Sequence, residues 1–150
     1  TEGGLVMNET ILQFNYPASV IHEYDSWIVL MRPQQVTVGS LVLACKGEYE
    51  SLAEVPAEVY SELSVVNSHI EKTLSKLFEY DRINYLLLMM RDKYVHFHVI
   101  PRYASKREVI GMTFDDKTWP MPPDITKPLD ISEGDIKTLT ELLKDNWMTG

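Results

Sequence analysis

The sequence predicts an α+β fold, in which an antiparallel sheet of about five strands packs against one long helix and a C-terminal helix. Three observations support this prediction. Several strand-length segments rich in β-branched and apolar residues are joined by short turns. One long segment repeats apolar residues every three or four positions. The stretch Tyr94–Tyr103 alternates polar or aromatic residues with apolar ones, which is typical of a half-buried strand.

The 150 residues are expected to form a single domain, long enough to bury a sizeable core. No apolar run approaches the about 20 residues that a membrane span needs. Residues 1–4 lack the basic and apolar parts of a signal peptide, so the expected location is the cytoplasm. The single cysteine, Cys45, excludes an internal disulfide framework and a cysteine-rich zinc site, and it is expected to be a small buried side chain.

The net charge of −8 argues against a nucleic-acid-binding protein, which would carry a basic surface. The positive charges nevertheless concentrate near two histidines of the alternating stretch. They belong to Arg91, Lys93, Arg102, Lys106 and Arg107. This cluster could attract a small anion, or it could be a solvated strand end.

The first elements are predicted to be strands. Ser19–Tyr24 and Trp27–Met31 form a hairpin, Arg32–Val38 is a connector, and Ser40–Cys45 is a short apolar strand. His22, in the hairpin, has no partner nearby in sequence and is interpreted as structural.

The long helix is predicted to span about residues 56–79. Ser51 and Glu54 have the spacing of a capping box, and Pro56 suits a first helical turn. Its apolar residues lie on one side. His69 lies off that side and is expected at the surface.

Asn84–Met90 is a continuous apolar run, predicted to be a central strand covered on both faces. Arg91–Lys93 is a tight connection to the next strand, which makes the two an antiparallel pair. Beyond residue 103 no regular pattern is evident until the end of the chain. The proline-rich residues 119–128 are expected to form an extended arm, and a last helix, capped by Ser132, to span about residues 134–147.

The alternating stretch carries the chemically interesting side chains. On a strand, residues two apart share a face, so Tyr94, His96 and His98 lie on one side and apolar residues fill the other. Two imidazoles on one face suit phosphate chemistry or a metal site.

Val95–Arg102 resembles the signature of the histidine triad (HIT) superfamily, His-φ-His-φ-His-φ-φ, where φ is apolar. The resemblance extends to the order and spacing of the preceding elements, and it covers about residues 18–103. The arm and C-terminal helix, within residues 104–150, add no family signal. The sequence is most similar to bacterial HIT proteins described as dinucleoside polyphosphate hydrolase-like.

This resemblance implies hydrolysis or nucleotidyl transfer at the α-phosphate of a nucleoside phosphate, of the dinucleoside polyphosphate or phosphoramidate type. The residue matching the nucleophile is His96, and the one expected to contact the phosphate and the leaving group is His98. Arg102 and Lys93 could supply positive charge to the phosphoryl oxygens. No cofactor or metal is implied, and the expected partners are a nucleotide and a second copy of the chain.

Three positions depart from the family pattern. Tyr94 replaces the first histidine of the triad. Arg91-Asp92-Lys93 stands where many members have Gly-x-x-x-Gln-Ser/Thr-Val. Arg32 aligns with the ribose-binding carboxylate or amide, and it could contact a phosphate or hydroxyl but cannot accept a hydrogen bond.

Two other functions remain open from the sequence. One is a nucleotide-binding protein with reduced or no catalysis, because Tyr94 replaces a histidine. The other is a metal site on His96 and His98 with a carboxylate or His22 as third ligand, although no further ligand is convincingly spaced.

Overall fold

The computed structural model describes residues 6–150 and confirms the α+β prediction. A five-stranded sheet has the order β1-β2-β3-β5-β4, and each neighbouring pair is antiparallel. The strands are Val20–Glu23 (β1), Trp27–Met31 (β2), Leu41–Cys45 (β3), Arg82–Leu86 (β4) and His96–Arg102 (β5). The predicted hairpin is therefore β1–β2, and the alternating stretch forms β5 between β3 and β4.

The helices are Glu9–Leu12 (α1), Ala57–Phe78 (α2) and Glu133–Asp145 (α3). The two longer helices are confirmed close to their predicted bounds. Ser132 caps α3 as predicted, since its Oγ accepts the Asp135 N–H at 3.1 Å. Within residues 6–150 no helix has both the length and the apolar character needed to cross a bilayer.

The predicted capping box before α2 does not form. Ser51 precedes a short 3₁₀ turn and its side chain makes no cap hydrogen bond. Glu54 instead accepts the backbone N–H of Glu50 at 2.8 Å. Pro56 stands immediately before the first helical residue rather than within the first turn. Glu54 therefore stabilises the turn that leads into the helix, without a contribution from the Ser51 side chain.

Both faces of the sheet are covered. One face packs on α2 and α3, and its core includes Trp27, Val29, Leu43 and Val99. The opposite face carries Ile28, Leu30, Val42 and Ala44, and it lies under an N-terminal segment, residues 7–16. This second layer could not be predicted, because a four-residue helix is too short to show a helical period in the sequence.

Strand β4 differs from its prediction. It begins earlier and ends earlier than Asn84–Met90, and it is an edge strand rather than a central one. Leu88 and Met90, which follow it, are 44% and 85% exposed. An unbroken apolar run is typical of a strand buried on two faces, but here its last residues leave the sheet for the connection to β5. That connection is consequently longer than the predicted tight turn.

A small hairpin follows the main sheet and was not predicted. Its strands are Arg107–Val109 (β6) and Met112–Phe114 (β7). The two turn residues, Ile110 and Gly111, both have positive φ, at 49° and 75°. Three-residue strands are too short to show alternation, and the turn has a glycine only at its second position. After this hairpin, the proline-rich arm packs against its own chain beside β4 and β5.

Candidate active site

His96 and His98 lie side by side on one face of the sheet. In the register of β3 and β5, Ala44 pairs with His96 and Val42 with His98. The imidazoles therefore share the face covered by the N-terminal segment, opposite the long helix. Their ring centroids are 5.2 Å apart and the ring planes are inclined by 77°.

His96 has a free nitrogen defined by its hydrogen bond. Its Nδ1 lies 2.7 Å from the carbonyl oxygen of Tyr94. A carbonyl can only accept, so Nδ1 carries the proton and donates it. In the neutral ring, Nε2 then holds a lone pair. An imidazole oriented in this way is a nucleophile.

His98 has the opposite arrangement. The Nε–H of Arg32 donates to His98 Nδ1 at 3.3 Å, so Nδ1 is the acceptor and the ring proton sits on Nε2. Burial, the charge of Arg32 and the neighbouring His96 together lower the pKa of His98 to about 4, and burial has the largest effect. His98 is therefore neutral at pH 7 and presents an N–H donor.

The two rings together provide complementary groups. His96 presents the lone pair of its Nε2, and His98, whose ring centroid is 5.2 Å away, presents the N–H of its Nε2. Attack on an electrophile such as phosphorus needs a nucleophile, and the charge that develops on the phosphoryl oxygens needs a donor. This pair supplies both.

Arg32 reaches His98 from the end of β2. It is 7% exposed, and its guanidinium also donates to the carbonyl of Gln34. Burial lowers its pKa. Among residues 6–150, no carboxylate forms an ion pair with Arg32.

A buried glutamine holds the loop that carries Arg32. Gln35 Nε2 donates to the carbonyl oxygens of Arg32 and Ser40, at 2.6 and 2.8 Å. Its Oε1 accepts the N–H groups of Gly39 and Ser40. One amide thus closes the loop at both ends, which fixes the backbone of Arg32. The sequence analysis missed Gln35, because nothing marks a loop glutamine as buried.

Tyr94 lies just before β5 and contributes through its backbone. Its carbonyl orients His96, and its N–H donates to Thr10 Oγ1 at 3.1 Å. The Nζ of Lys93 lies 5.2 Å from the centre of the phenol ring. Among residues 6–150, the imidazoles make ring contacts with each other and with Phe14, but none with Tyr94.

Phe14 covers the two histidines and was missed in the sequence. Its ring centroid lies 5.7 Å from that of His96 and 6.0 Å from that of His98. Asn8 anchors the segment, because its side chain donates to Cys45 O at 3.0 Å and accepts the Ile11 N–H at 3.0 Å. The cover leaves His96 and His98 only 2% and 7% exposed. Nothing in the local sequence indicates that an aromatic more than 80 positions away meets the histidines.

Arg102, expected to bind substrate, is engaged by the protein itself. Its Nε and Nη2 donate to the two carboxylate oxygens of Asp116, at 2.7 and 3.2 Å. Further bonds go to Asn84, Thr118 and the carbonyl of Met121. The side chain is 4% exposed. This geometry favours a structural function for Arg102, which ties the arm to the sheet.

The described part of the chain supplies no third ligand for a metal ion on His96 and His98. Within residues 6–150, no group of three or more candidate side chains could hold a metal ion. His22 stacks on Trp147 instead, with ring centroids 6.1 Å apart. His69, expected at the surface, is half-buried, and its Nδ1 lies 2.7 Å from the Tyr24 hydroxyl.

The neutral state of His98 predicts a pH-dependent stability. Its pKa of about 4 in the folded protein lies below the ordinary value of 6.5, so between these values the unfolded chain binds more protons. The free energy of unfolding should therefore fall as the pH drops from 7 to 4, by up to about 3 kcal/mol from this residue. Urea denaturation at several pH values measures this loss. In His98→Gln the decline should be shallower, and an equally steep decline would contradict the assignment.

The sheet order and the paired histidines on β5 define the histidine triad fold. Several solved structures to which this chain is similar are histidine triad proteins. One from Sinorhizobium meliloti has a TM-score of 0.72 at 17% identity, with 94% of this chain and 96% of that chain covered. One from Bradyrhizobium japonicum has a TM-score of 0.70 at 14% identity, with 95% and 98% covered.

A third similar structure is that of an enzyme. It is a Plasmodium falciparum diadenosine triphosphate hydrolase in complex with cyclomarin A, with a TM-score of 0.63 and 13% identity. The match covers 86% of this chain and 76% of that one. No protein-family model and no curated protein sequence matches this chain. The predicted histidine triad fold is thus confirmed by structure, whereas the similarity in sequence is low.

Proposed function

We propose that this protein hydrolyses a nucleoside phosphate, or transfers its nucleotidyl group, through a covalent intermediate on His96. The observation that supports the proposal most is that His96 and His98 are held in opposite tautomers. The Tyr94 carbonyl fixes the proton of His96 on Nδ1, and Arg32 fixes that of His98 on Nε2. A lone pair and an N–H donor are thereby presented by adjacent rings on one surface.

The reaction has two displacements. His96 Nε2 attacks the α-phosphorus, a nitrogen–phosphorus bond forms, and the bond to the leaving group breaks with its electron pair. His98 Nε2–H donates to the phosphoryl or bridging oxygen as its charge grows. Water then attacks the phosphorus, the nitrogen–phosphorus bond breaks, His96 recovers its electron pair, and a proton is released to solvent. Dividing the displacement lowers the barrier of each step.

Arg32, Lys93 and Tyr94 are proposed to bind the substrate. The Arg32 guanidinium lies next to His98, where it can stabilise phosphate oxygens. The Lys93 ammonium lies over the Tyr94 ring immediately before β5, so both side chains belong to the segment that leads into His96. Arg102 is left out of this set because Asp116 and the arm engage it.

A turnover panel without added metal tests the proposal. Wild type is offered a diadenosine polyphosphate, an adenosine phosphoramidate and an adenylylated small molecule, and adenosine monophosphate release is followed by chromatography. Release from any one of them, lost when His96 is replaced, supports a nucleotidyl hydrolase. Release that continues without His96 would overturn the assigned nucleophile.

The alternative is a nucleotide-binding protein with little or no catalysis. Two observations favour it: Tyr94 replaces a triad histidine, and Phe14 leaves both imidazoles nearly inaccessible. Calorimetric titration with adenosine monophosphate distinguishes the two functions. Binding without turnover on the whole panel supports the alternative, and His96-dependent turnover contradicts it.

We propose that the protein is a homodimer joined along β4. This strand lies at the sheet edge and has one unpaired side. Beside it, a groove of about 700 Å³ runs between the strand and the arm and is lined by Ile83, Leu86, Trp119 and Met121, among others. Antiparallel pairing of two β4 strands would bury these apolar side chains and continue the sheet across both copies.

Sedimentation equilibrium tests the dimer, with an expected mass of twice 17.3 kDa. Tyr85→Lys places a charge on the edge strand, while its ammonium can still meet Glu71, the present partner of the Tyr85 hydroxyl at 2.7 Å. This variant should be monomeric. The matched control, Leu12→Lys, lies on α1 on the other face of the sheet and should stay dimeric. A monomeric wild type would contradict the proposal.

A further inference from the structure

The contact between Arg32 and His98 bears on which leaving group the site can expel. We propose that Arg32 restricts this protein to phosphoric anhydrides, whose leaving group is a phosphate, and disfavours phosphoramidates, whose leaving group is an amine. This inference rests on the proposed function, since it concerns the bond broken when His96 attacks. It follows from where the proton of His98 can sit.

His98 cannot become a cation while Arg32 keeps its place. A protonated imidazole carries N–H groups at both nitrogens, so Nδ1–H would face the Nε–H of Arg32 at the present 3.3 Å separation. Two donors would then oppose each other, and two positive charges would lie in contact in a buried site. The geometry thus holds His98 as a neutral Nε2–H donor.

Arg32 has little freedom to retreat from this contact. Its side chain is buried, and its guanidinium is also bonded to the Gln34 carbonyl. The buried amide of Gln35 holds the Arg32 carbonyl at 2.6 Å. Swinging the side chain away would break the bond to Gln34, and the Gln35 bond fixes the backbone from which the side chain starts. The neutral state of His98 is therefore built into the loop after β2.

Two titratable groups within residues 6–150 face His98, and both are basic. Arg32 on the loop after β2 and His96 on β5 are the titratable groups that face it, and both lower its pKa. The other neighbours are uncharged: Phe14 from the N-terminal segment, Val42 across β3 and Leu86 across β4. Among the described residues, no carboxylate forms an ion pair with His98.

A phosphate leaving group suits a neutral donor. When the phosphorus–oxygen bond of an anhydride breaks, the electron pair stays on the bridging oxygen, which departs as part of a stable phosphate anion. That oxygen needs no proton. The His98 Nε2–H can donate to it, and the Arg32 guanidinium can stabilise its charge.

An amine leaving group needs more than a donor. When a phosphorus–nitrogen bond breaks, the electron pair stays on nitrogen, which must receive a proton because an amide anion is far too basic to depart. A neutral imidazole cannot give up its last N–H at neutral pH, so the proton would have to come from solvent. General acid catalysis typically contributes about 10²–10⁴-fold, and amine expulsion here would lack it.

The test compares two substrates on the same enzyme preparation. We measure kcat/KM for diadenosine triphosphate and for an N-alkyl adenosine phosphoramidate with wild type, Arg32→Gln, Arg32→Lys and the control Lys76→Gln, which removes an exposed charge from α2. Because each ratio of the two values comes from one preparation, a partly folded variant does not distort it. Wild type should favour the anhydride.

Arg32→Gln removes the charge and frees His98 to accept a proton. The ratio of anhydride to phosphoramidate activity should fall at least about tenfold, a modest part of what a general acid supplies. Phosphoramidate turnover by this variant should also decline as the pH rises through about 6.5, where a free imidazole loses its proton. Arg32→Lys keeps the charge and should keep most of the wild-type preference for the anhydride. Lys76→Gln should have the same ratio as wild type.

The outcomes separate this inference from the proposed function. His96-dependent turnover that favours the phosphoramidate in wild type overturns the inference and supports the function. An unchanged ratio in Arg32→Gln also overturns the inference, because it would show that Arg32 contributes equally to both substrates. Failure of wild type to turn over either substrate, or turnover without His96, overturns the proposed function itself.

Discussion

His96→Asn is expected to lower turnover by at least about 10³-fold, the scale typical for removing a nucleophile. Asparagine is chosen because its Nδ2–H can replace the Nδ1–H of His96 as donor to the Tyr94 carbonyl, now at 2.7 Å. The side chain then retains its anchor but has no nitrogen lone pair at the position of Nε2. The melting temperature should change by only a few degrees.

Mass spectrometry of protein quenched in alkali, where a phosphorus–nitrogen bond to imidazole is stable, provides the direct measurement. Wild type mixed with excess substrate should gain the mass of one nucleotidyl group, whereas His96→Asn should gain none. His98→Ala is the informative companion, because His98 only donates in this scheme. It should turn over more slowly yet still accumulate the adduct. An adduct on His96→Asn, or none on His98→Ala when wild type shows one, would contradict these assignments.

The strand that holds the two histidines could be predicted from local pattern alone. Alternation over Tyr94–Tyr103 placed His96 and His98 on one face, and the structure has them there, opposite Ala44 and Val42. The period of two that defines a strand is visible within a few residues. The long helix was equally predictable, because its apolar side repeats over many turns.

The tautomers of the two imidazoles could not be predicted in the same way. Arg32 is 66 positions from His98, and only the pairing of β2, β3 and β5 brings them together. The sequence predicts that Arg32 stands at the position of a ribose-binding carboxylate or amide and could contact a phosphate or hydroxyl. In the structure it determines which nitrogen of His98 carries the proton. Phe14, which covers both rings, has no local signal at all.

The position of β4 shows a different limit. The apolar composition of Asn84–Met90 predicts burial but not which neighbours provide it. In one chain the strand lies at the edge, half-covered, with a groove beside it. A second copy that covered β4 would bury its apolar residues although the strand lies at the edge of the sheet. This is a reason to test the dimer.

Asp116→Ala should destabilise the fold by about 3–5 kcal/mol, the range expected when one partner of a buried ion pair is removed. Arg102 and Asp116 form that pair with side chains 4% and 2% exposed. Without the carboxylate, the guanidinium is left charged in a dry site, and the Tyr103 N–H, 3.1 Å from Asp116 Oδ2, loses its acceptor. Urea denaturation measures the loss, with Asp115→Ala as the matched control, since Asp115 is adjacent and exposed.

A double variant separates the cost of an unpaired charge from the value of the pair itself. Replacing both partners, as in Arg102→Met with Asp116→Ala, removes the buried charge altogether, so it should be less destabilising than Asp116→Ala alone. The arm should still loosen in the double variant, because Arg102 also holds the Met121 carbonyl at 2.7 Å. Trypsin cleavage after Lys117, an exposed residue just before the arm, reports that release. A free energy of unfolding of Asp116→Ala within about 1 kcal/mol of the wild-type value would instead match the contribution of a surface ion pair. That result would contradict the structural function of Arg102 and would favour its original assignment to substrate binding.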